Sequence, residues 1–397
     1  MGRFFILSGL LIGISSILQW LDLPLNNTLI WWSIYVLILY TFIKFRQRIS
    51  ASAIKIFIVW LSISAVYGGM YMTENYWDWK LLVSNYMSMM LLVGTYTFSS
   101  PTTLSPFLRT WFRYGWIIFI VLCPFMGSDA FGRYLVPYAF LSLFLSIIQD
   151  KKNILLIFIA LVLTIIFGYE DRSSTIKFVF YLLIGISLIY WHVWRKISDK
   201  LFRALHVIFL SLPFLFTVLG ISGIFNVFKI KEELDLKPAS VDDVRLVDTR
   251  TFLYVEEIES AIDHDYVICG RSIARGYDSL TFGGTIDQML GVNRGERGAC
   301  EVCILNIFNY MGVIGVILYF FIFLQASYLA IYKSNNQYVK IVGVYITFRW
   351  MYAFIHDGIE FNLNFLFIVI GLAICYSPQF RHMTALEFKH FINNSIK

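Results

Sequence analysis

Long apolar runs recur along almost the whole chain, and they restrict its fold more than any other feature. An α-helix needs about 17 to 25 mostly apolar residues to cross a bilayer. Only 15% of the residues are charged, against roughly 25% in an ordinary soluble domain, which argues against a water-soluble fold. We predict an all-α, polytopic integral membrane protein with about 12 transmembrane helices. The predicted spans are 4–20, 29–43, 56–73, 81–98, 114–127, 134–148, 153–168, 175–194, 205–228, 303–331, 341–355 and 361–376.

The distribution of basic residues predicts the orientation. If the N-terminus is inside, the inner short segments hold about eighteen Lys and Arg and the outer short loops about three, as the positive-inside rule requires. The opening MGRF has one basic residue and no evident cleavage site after its apolar run, so we expect a retained first helix. Both termini are therefore predicted to be cytoplasmic.

One connection is much longer than the others and defines the domain organisation. We predict a membrane domain at 1–228 with about nine helices, a large loop on the outer side at 229–302, and a membrane domain at 303–397 with about three helices and a cytoplasmic tail. A loop of this length is usually functional or disordered, and we expect order. Within it, TFLYVEEIESAI (251–262) places Phe252, Val255, Ile258 and Ile262 on one helical face and its glutamates elsewhere. We expect that apolar face to pack on the membrane domain.

Every basic residue from 241 to 302 is an arginine. Arginine offers a permanently charged, planar fork that binds phosphate oxygens in a bidentate way, so the pattern favours recognition of a phosphate or diphosphate. The alternative is pairing with the many Asp and Glu of the same loop. The six arginines are Arg245, Arg250, Arg271, Arg275, Arg294 and Arg297.

Glu301 lies where the loop re-enters the predicted membrane region. Partial desolvation there would raise its pKa and suit it to act as a general base toward a hydroxyl. The alternative is an ordinary carboxylate near a helix N-terminus, which the helix dipole favours.

A polar stripe crosses a later predicted span. Tyr345, Arg349, Tyr352 and His356 fall at i, i+4, i+7 and i+11, on one side of a helix. An arginine inside a span costs about 3 kcal/mol on insertion scales, so it normally faces a cavity or a partner. We interpret the stripe as the wall of a polar cavity; the alternative is a hydrogen-bond network that fixes helix packing.

The turn EDRSST (170–175) joins two predicted spans on the outer side. Arg172 lies there, with Lys177 a turn deeper, and together they could bind an anionic headgroup. A pair that snorkels to the interface is the alternative.

The remaining motifs exclude several function classes. Only Cys300 and Cys303 among the five cysteines have ligand-like spacing, so we expect no metal and no cofactor. A disulfide from Cys269 to Cys300 or Cys303 stays open. No P-loop, GxSxG or HExxH motif supports an ATPase, a hydrolase of that type or a zinc protease, and we expect no nucleic-acid partner.

Four features together resemble the bacterial O-antigen polymerase family, Wzy, and the related O-antigen ligases, WaaL. These are the topology, the EDRSST turn, the loop segment DTRTFLYVEEIESAIDHDYVICGRSIARGY and the segment CEVCILNIFNYMGVIGVI. If Gly312 and Gly315 correspond to the ligase G-x-x-G, Glu301 stands where a ligase has histidine. That departure favours a polymerase and leaves the base to Glu301, His264 or His356.

The resemblance implies a membrane glycosyltransferase of polysaccharide (lipopolysaccharide O-antigen) biosynthesis in the bacterial inner membrane. It would transfer glycan from undecaprenyl diphosphate to a lipid-linked repeat unit at the periplasmic face, surrounded by membrane lipid and assisted by a chain-length regulator. We expect Glu301, Arg271, Arg275 and Arg172 in catalysis. The expected substrate-binding residues are Arg250, Arg294, Arg297, Arg349, Tyr345, Tyr352 and His356.

Three alternatives remain: a lipid-linked oligosaccharide flippase, an O-antigen ligase, and an assembly partner without catalysis. About twelve spans suit a flippase equally well, although the chain lacks the two matching halves of many transporters. Loss of a polymerase leaves single repeat units outside the cell, whereas loss of a flippase leaves them inside.

Overall fold

Helices form nearly all the regular structure of the protein. The computed structural model describes residues 2–21, 23, 27–168, 172–187, 198–223, 250–356 and 359–397. The first ten α-helices are α1 Gly2–Ser15, α2 Thr28–Lys44, α3 Ser52–Tyr67, α4 Tyr76–Met90, α5 Gly94–Phe98, α6 Pro101–Thr110, α7 Trp116–Leu122, α8 Ser128–Tyr134, α9 Val136–Ser142 and α10 Lys151–Phe167. The later ones are α11 Arg172–Ser187, α12 Ser198–Ile221, α13 Thr251–Asp263, α14 Gly283–Leu290, α15 Cys303–Tyr332, α16 Gln337–Tyr352, α17 Leu363–Tyr376, α18 Pro378–His382 and α19 Ala385–Ser395. Two short strands, β1 Tyr277–Asp278 and β2 Glu296–Arg297, pair antiparallel.

Polar residues at the helix starts explain where several of these helices begin. The side chains of Asn27, Asn336 and Asn362 each accept a hydrogen bond from a backbone N–H of the first turn that follows. Asn75 and Asp78 form a reciprocal capping box at the start of α4. Such caps satisfy amides that have no partner within the helix.

Four helical stretches are long and apolar enough to cross a membrane: Ser52–Met72, Tyr76–Phe98, Asp199–Gly220 and Cys303–Tyr332. Shorter apolar helices occupy Phe4–Ser15, Thr28–Lys44, Ser173–Ser187 and Leu363–Tyr376. The helical fold class is thus confirmed, whereas the number of about twelve spans stays a prediction. The predicted span 114–127, for example, overlaps a continuous helical run at 101–125 that contains a π-helical turn at Trp111–Gly115, so its predicted start does not match the structure. The predicted span 134–148 contains α9, whose 7 residues are too few to cross a bilayer alone.

The last long helices form the centre of the fold. Every side chain of α17 from Phe365 to Tyr376 is buried. Around it pack α15, α16 and α5, and α3 packs on α15. Helix α17 is apolar on all sides, as expected of a helix surrounded by others.

Helix α15 is broken at Gly312, whose φ of 64° is left-handed. A Cβ at this position would lie 2.2 Å from the carbonyl oxygen of Ile268, so glycine is required. The break frees two amides: Val313 N–H donates to Val267 O at 2.9 Å, and Ile314 N–H donates to Ile268 O at 3.3 Å. The loop backbone therefore completes the hydrogen bonding of this helix.

Helix α13 confirms the helix predicted at 251–262, but the prediction of its buried face is wrong. Val255, Ile258 and Ile262 are exposed, whereas Glu256 and Glu257 are buried. Glu256 is buried because it accepts hydrogen bonds from the hydroxyls of Ser279 and Thr281 and from the Thr281 amide. The loop folds onto the polar side of α13, which reverses the expected orientation.

Candidate functional site

The pair of strands β1 and β2 divides the loop arginines into two groups. Tyr277 pairs with Arg297, and Asp278 pairs with Glu296. Successive side chains of a strand point to opposite faces. Asp278 and Glu296 therefore share one face of this ladder, while Tyr277 and Arg297 share the other.

The Asp278–Glu296 face carries an ionic network with Arg271 and Arg275. Arg275 Nε donates to Glu296 Oε2 at 2.9 Å and its Nη2 donates to the second oxygen, which makes a bidentate pair. Arg271 Nη1 donates to Asp278 Oδ1 at 2.7 Å, and its Nη2 lies 3.1 Å from Glu296 Oε1. Asp278 also contacts His264 at 2.6 Å. The structure does not bring Arg271 or Arg275, two predicted catalytic residues, to a pocket with Glu301.

Arg294 ties the loop to the start of α4. Its Nη1 donates to Asp78 Oδ1 at 2.7 Å and its Nη2 donates to Glu74 Oε2 at 2.6 Å. Asp78 also accepts hydrogen bonds from the amides of Glu74 and Asn75 in the capping box of α4. This arginine therefore anchors the loop to a helix of membrane-spanning length.

The other face of the ladder borders a polar cavity of about 260 Å³, which we call the polar pocket. The long loop, the segment between α16 and α17, α8 and α11 all contribute residues to its wall. The charged or titratable side chains at its wall are Arg133, Lys177, Arg297, Glu301, His356, Glu360 and the thiol of Cys300, with Trp20, Asn362 and Asn364 among the uncharged ones. The pocket thus combines three cationic groups with two carboxylates.

Glu301 and Arg297 form an ion pair in the polar pocket. Arg297 Nη2 donates to Glu301 Oε1 at 2.8 Å, and Arg250 Nη1 lies 3.8 Å from Glu301 Oε2. Burial acts to raise the pKa of Glu301, but Arg297 and Arg250 outweigh it and hold the pKa below its ordinary value. The expectation of a raised pKa is therefore wrong in direction, because it omitted these two cations.

Arg297 is held in place by an aromatic ring as well as by charge. Its guanidinium lies 4.4 Å from the centroid of the Phe282 ring. Its Nη1 is buried and, within the described residues, makes no hydrogen bond of good geometry, although the guanidinium lies close to the hydroxyl of Tyr277. A buried donor of this kind favours a ligand with an acceptor oxygen.

Arg133 was missed by the sequence reasoning. Its guanidinium stacks on the indole of Trp20 at 3.8 Å, and Nη1 donates to Glu360 Oε2 at 3.3 Å. A signal did exist, because Arg133 is one of the about three basic residues on the predicted outer short loops. A cation that departs from the positive-inside rule invites a functional explanation.

The stripe on α16 contributes one residue to the pocket. His356 lies at the pocket wall, whereas Tyr345, Arg349 and Tyr352 are buried in the helix core. Arg349 donates to Tyr181 Oη at 2.7 Å and to Asn364 Oδ1 at 3.0 Å. Since Asn364 also lines the pocket, Arg349 supports the pocket from behind, and most of the stripe forms a packing network.

Arg250 and Arg172 are the two remaining residues that the sequence predicted for the site. Arg250 reaches Glu301 but does not line the pocket wall. Arg172 begins α11, and its side chain lies outside the described residues. Lys177 lies further along α11, where it is buried and lines the pocket.

Glu257 is a second carboxyl group that the sequence reasoning did not select. It is fully buried, and neither of its oxygens has a hydrogen-bond partner within the described part of the chain. Burial raises its pKa well above the ordinary value, although Arg271 opposes the shift. Burial thus favours the neutral form of the Glu257 carboxyl, whereas the neighbouring arginines favour the charged form of Glu301.

All five cysteines are free, so the suggested disulfide from Cys269 is not formed. Burial raises the pKa of the Cys300 thiol to about 12, and the thiol is protonated at neutral pH. Among the described residues, no group of three or more His, Cys, Asp and Glu side chains could hold a metal ion.

The fold and the polar pocket define a helical protein that contains helices of membrane-spanning length. The chain has no significant match to a protein-family model, a curated protein or a solved structure.

Proposed function

We propose that this chain is a polysaccharide polymerase of the O-antigen type. It would be an inner-membrane glycosyltransferase that moves glycan from undecaprenyl diphosphate onto a lipid-linked repeat unit at the periplasmic face. The observation that carries this proposal is the polar pocket, where the Arg297–Glu301 ion pair lies with Arg133 and Lys177. The pocket also borders on α8 and α9, which pack against α17.

The cations of the pocket suit a departing diphosphate. When the bond from the anomeric carbon to the diphosphate oxygen breaks, its electron pair leaves with the diphosphate, which gains negative charge. Fixed cations stabilise such a charge best in a site shielded from water. Arg297 and Arg133 offer bidentate donors, and Lys177 supplies a point charge. In this assignment they replace Arg271 and Arg275, whose charges Glu296 and Asp278 already neutralise.

Glu301 is the proposed acceptor of the proton. As the acceptor hydroxyl oxygen bonds to the anomeric carbon, its proton passes to the Glu301 carboxylate. Arg297 weakens Glu301 as a base while the two are paired, because it lowers the pKa of the carboxyl. A diphosphate that takes over Arg297 would remove the largest of the effects that lower the pKa, so the pKa of Glu301 would rise, opposed only by Arg250 and a backbone hydrogen bond. Substrate binding would thereby activate the base.

The remaining predicted residues take supporting roles in this proposal. Arg271 and Arg275 hold the ladder that orients Arg297, and Arg349 holds Asn364. His356 is the second candidate for the base, and Arg172 stays a predicted phosphate ligand. Tyr345 and Tyr352 maintain the packing of α16.

Reconstitution tests the proposal directly. Purified protein in proteoliposomes is supplied with one defined undecaprenyl-diphosphate-linked repeat unit, and the products are separated by size. Lengthening by wild-type protein and its loss in Glu301→Gln and Arg297→Lys are the expected results. Wild-type protein that lengthens nothing, or Glu301→Gln that gives full-length products, would overturn the proposal.

A cellular assay separates the polymerase from the flippase. In a strain that lacks the protein, single repeat units are expected outside the cell, linked to the acceptor lipid. Units that accumulate on the inner side instead would assign the chain to transport.

A further inference from the structure

Helix α13 exposes an apolar surface that no described part of the chain covers. The exposed fractions are 46% for Val255, 40% for Ile258 and 60% for Ile262. The opposite face, with Leu253, Glu257 and Ala261, is buried completely. Three β-branched apolar residues in one exposed row are unusual on a helix that faces water.

The exposed half of α13 consists of two adjacent stripes that run along the helix and differ in chemistry. At about 100° per residue, Val255, Ile258 and Ile262 occupy an arc of about 60°. Glu259 and Asp263 follow in the next arc, about 40° to 80° beyond Val255. Both acidic side chains are exposed. One edge of the helix is therefore apolar and the neighbouring edge is acidic. The apolar edge alone would supply the attraction to a membrane, because interfacial helices that are attracted by charge carry Lys and Arg instead.

The apolar edge continues toward an exposed stripe on α15. Ile268, which follows α13, is 66% exposed, and its carbonyl is hydrogen-bonded to Ile314 of α15. On α15, beginning next to this hydrogen bond, Val313, Ile317 and Phe321 form an exposed apolar row. Since α15 has the length and hydropathy of a membrane span, this row is the lipid-facing side of that helix.

The position of the break sets the level of α13 in the bilayer. The helix from Val313 to Tyr332 rises about 30 Å, which is the thickness of the hydrocarbon core. With Tyr332 at one boundary, Gly312 lies at the other. The segment that bonds to the break, Val267 and Ile268, then lies at the same boundary, together with the end of α13.

We propose that α13 lies in the membrane interface, with Val255, Ile258 and Ile262 against phospholipid and Glu259 and Asp263 in water. The partner of this surface is the lipid of the leaflet that the loop faces. The contact fixes the height of the loop above the bilayer, and with it the height of Arg250, which directly precedes α13. This inference does not depend on the proposed glycosyltransferase activity.

Adjacent positions on α13 provide a matched test. Single cysteines are placed at Ile258 and Glu259 in a full-length Cys123→Ser, Cys269→Ser background, and each is labelled with a nitroxide. In proteoliposomes of phosphatidylethanolamine and phosphatidylglycerol, collisions with oxygen report lipid and collisions with a water-soluble nickel chelate report water. We expect oxygen to dominate at Ile258→Cys and the nickel chelate to dominate at Glu259→Cys, with a several-fold difference in the ratio. The unsubstituted background measures any labelling of the three buried thiols.

Each other outcome overturns the proposal. Equal nickel accessibility at the two positions would place the whole surface in water. Exclusion of both reagents from Ile258→Cys would indicate that a second copy or another protein covers it. The pair Ile262→Cys and Asp263→Cys repeats the measurement one turn further and replaces the first pair if either variant fails to fold.

Discussion

The two faces of the β1–β2 ladder use the same residue types for different purposes. On one face, Glu296 and Asp278 are bound by Arg271 and Arg275, and three of these four side chains are less than 15% exposed. On the other face, Arg297 shares Glu301 with Arg250, and Glu301 is 43% exposed. The first face is balanced in charge and closed, whereas the second opens into the polar pocket.

The difference between the two faces shows how one arginine-rich loop can hold some charges in fixed pairs and leave others able to change partners. A buried charge that loses its partner destabilises the fold strongly, so the charges of the closed face are committed to structure. A partly exposed pair is worth little to stability and can exchange partners at small cost. The alternation of side chains along a strand keeps these two sets apart although Glu296 and Arg297 are neighbours.

Glu296→Gln should have the largest effect. It leaves Arg275 and Arg271 buried without their shared carboxylate, which should lower the free energy of unfolding by about 3 kcal/mol. Thermal unfolding of the purified protein in detergent measures this. Glu259→Gln, at an exposed position on α13, is the matched control and should change stability little. A Glu296→Gln protein as stable as the control would show that the closed face is not structural.

Glu301→Gln should change stability little and reduce glycan transfer strongly. Its ion pair is partly exposed, so unfolding should change by less than about 1 kcal/mol. Glycan transfer should fall by about a hundredfold, as for loss of a general base. The ratio of the two effects, measured by thermal unfolding and by reconstituted transfer, is the test. A large loss of stability would make Glu301 another member of the structural set.

Glu257→Gln should change the pH dependence of stability. The folded-state pKa of Glu257 is raised, so wild-type stability is fully present below the unfolded pKa near 4.5 and declines as pH rises toward the folded value. Glutamine does not titrate. The variant should therefore match wild type at pH 4 and become the more stable of the two as pH rises toward 8. If the stability difference between variant and wild type stays constant from pH 4 to pH 8, the pKa of Glu257 is not raised in the folded protein.

Asp278→Asn should have the smallest effect. Burial acts against the charged form, but Arg271 and His264 hold the pKa of Asp278 below its ordinary value. Its stabilisation is present above the unfolded pKa and is lost as pH falls through the lower folded one. Since Asp278 is 44% exposed, we expect a loss below about 1 kcal/mol at pH 7 and a smaller one at pH 3. A loss at pH 7 equal to that of Glu296→Gln would remove the distinction between the buried and exposed members of the network.

Sequence patterns predicted the positions of helices more accurately than the contacts that their side chains make. Hydrophobic periodicity located α13 and α15 within a residue or two, because helix formation and burial depend on local patterns. The buried face of α13 was missed because Ser279 and Thr281, distant in sequence, supply the hydrogen bonds that make burial of Glu256 favourable.

The candidate site was predicted only in part for the same reason. Glu301, Arg297 and His356 do meet at one pocket, but their residue types do not distinguish them from Arg271 and Arg275. Which arginine is neutralised depends on the two-residue register of β1 and β2, which is too short to leave a periodic signal. Arg133 comes from a separate helix, and its approach to Glu360 has no local sequence signal.

The break at Gly312 also bears on how the protein is assembled. The amides of Val313 and Ile314 find their acceptors in Val267 and Ile268, which are synthesised before them. In the proposed topology, with the loop on the outer side, the end of α15 at Gly312 would stay incompletely hydrogen-bonded during insertion until the loop has been translocated and has folded against it, because lipid offers no acceptor. Translocation of the loop would then be a condition for completing this membrane span.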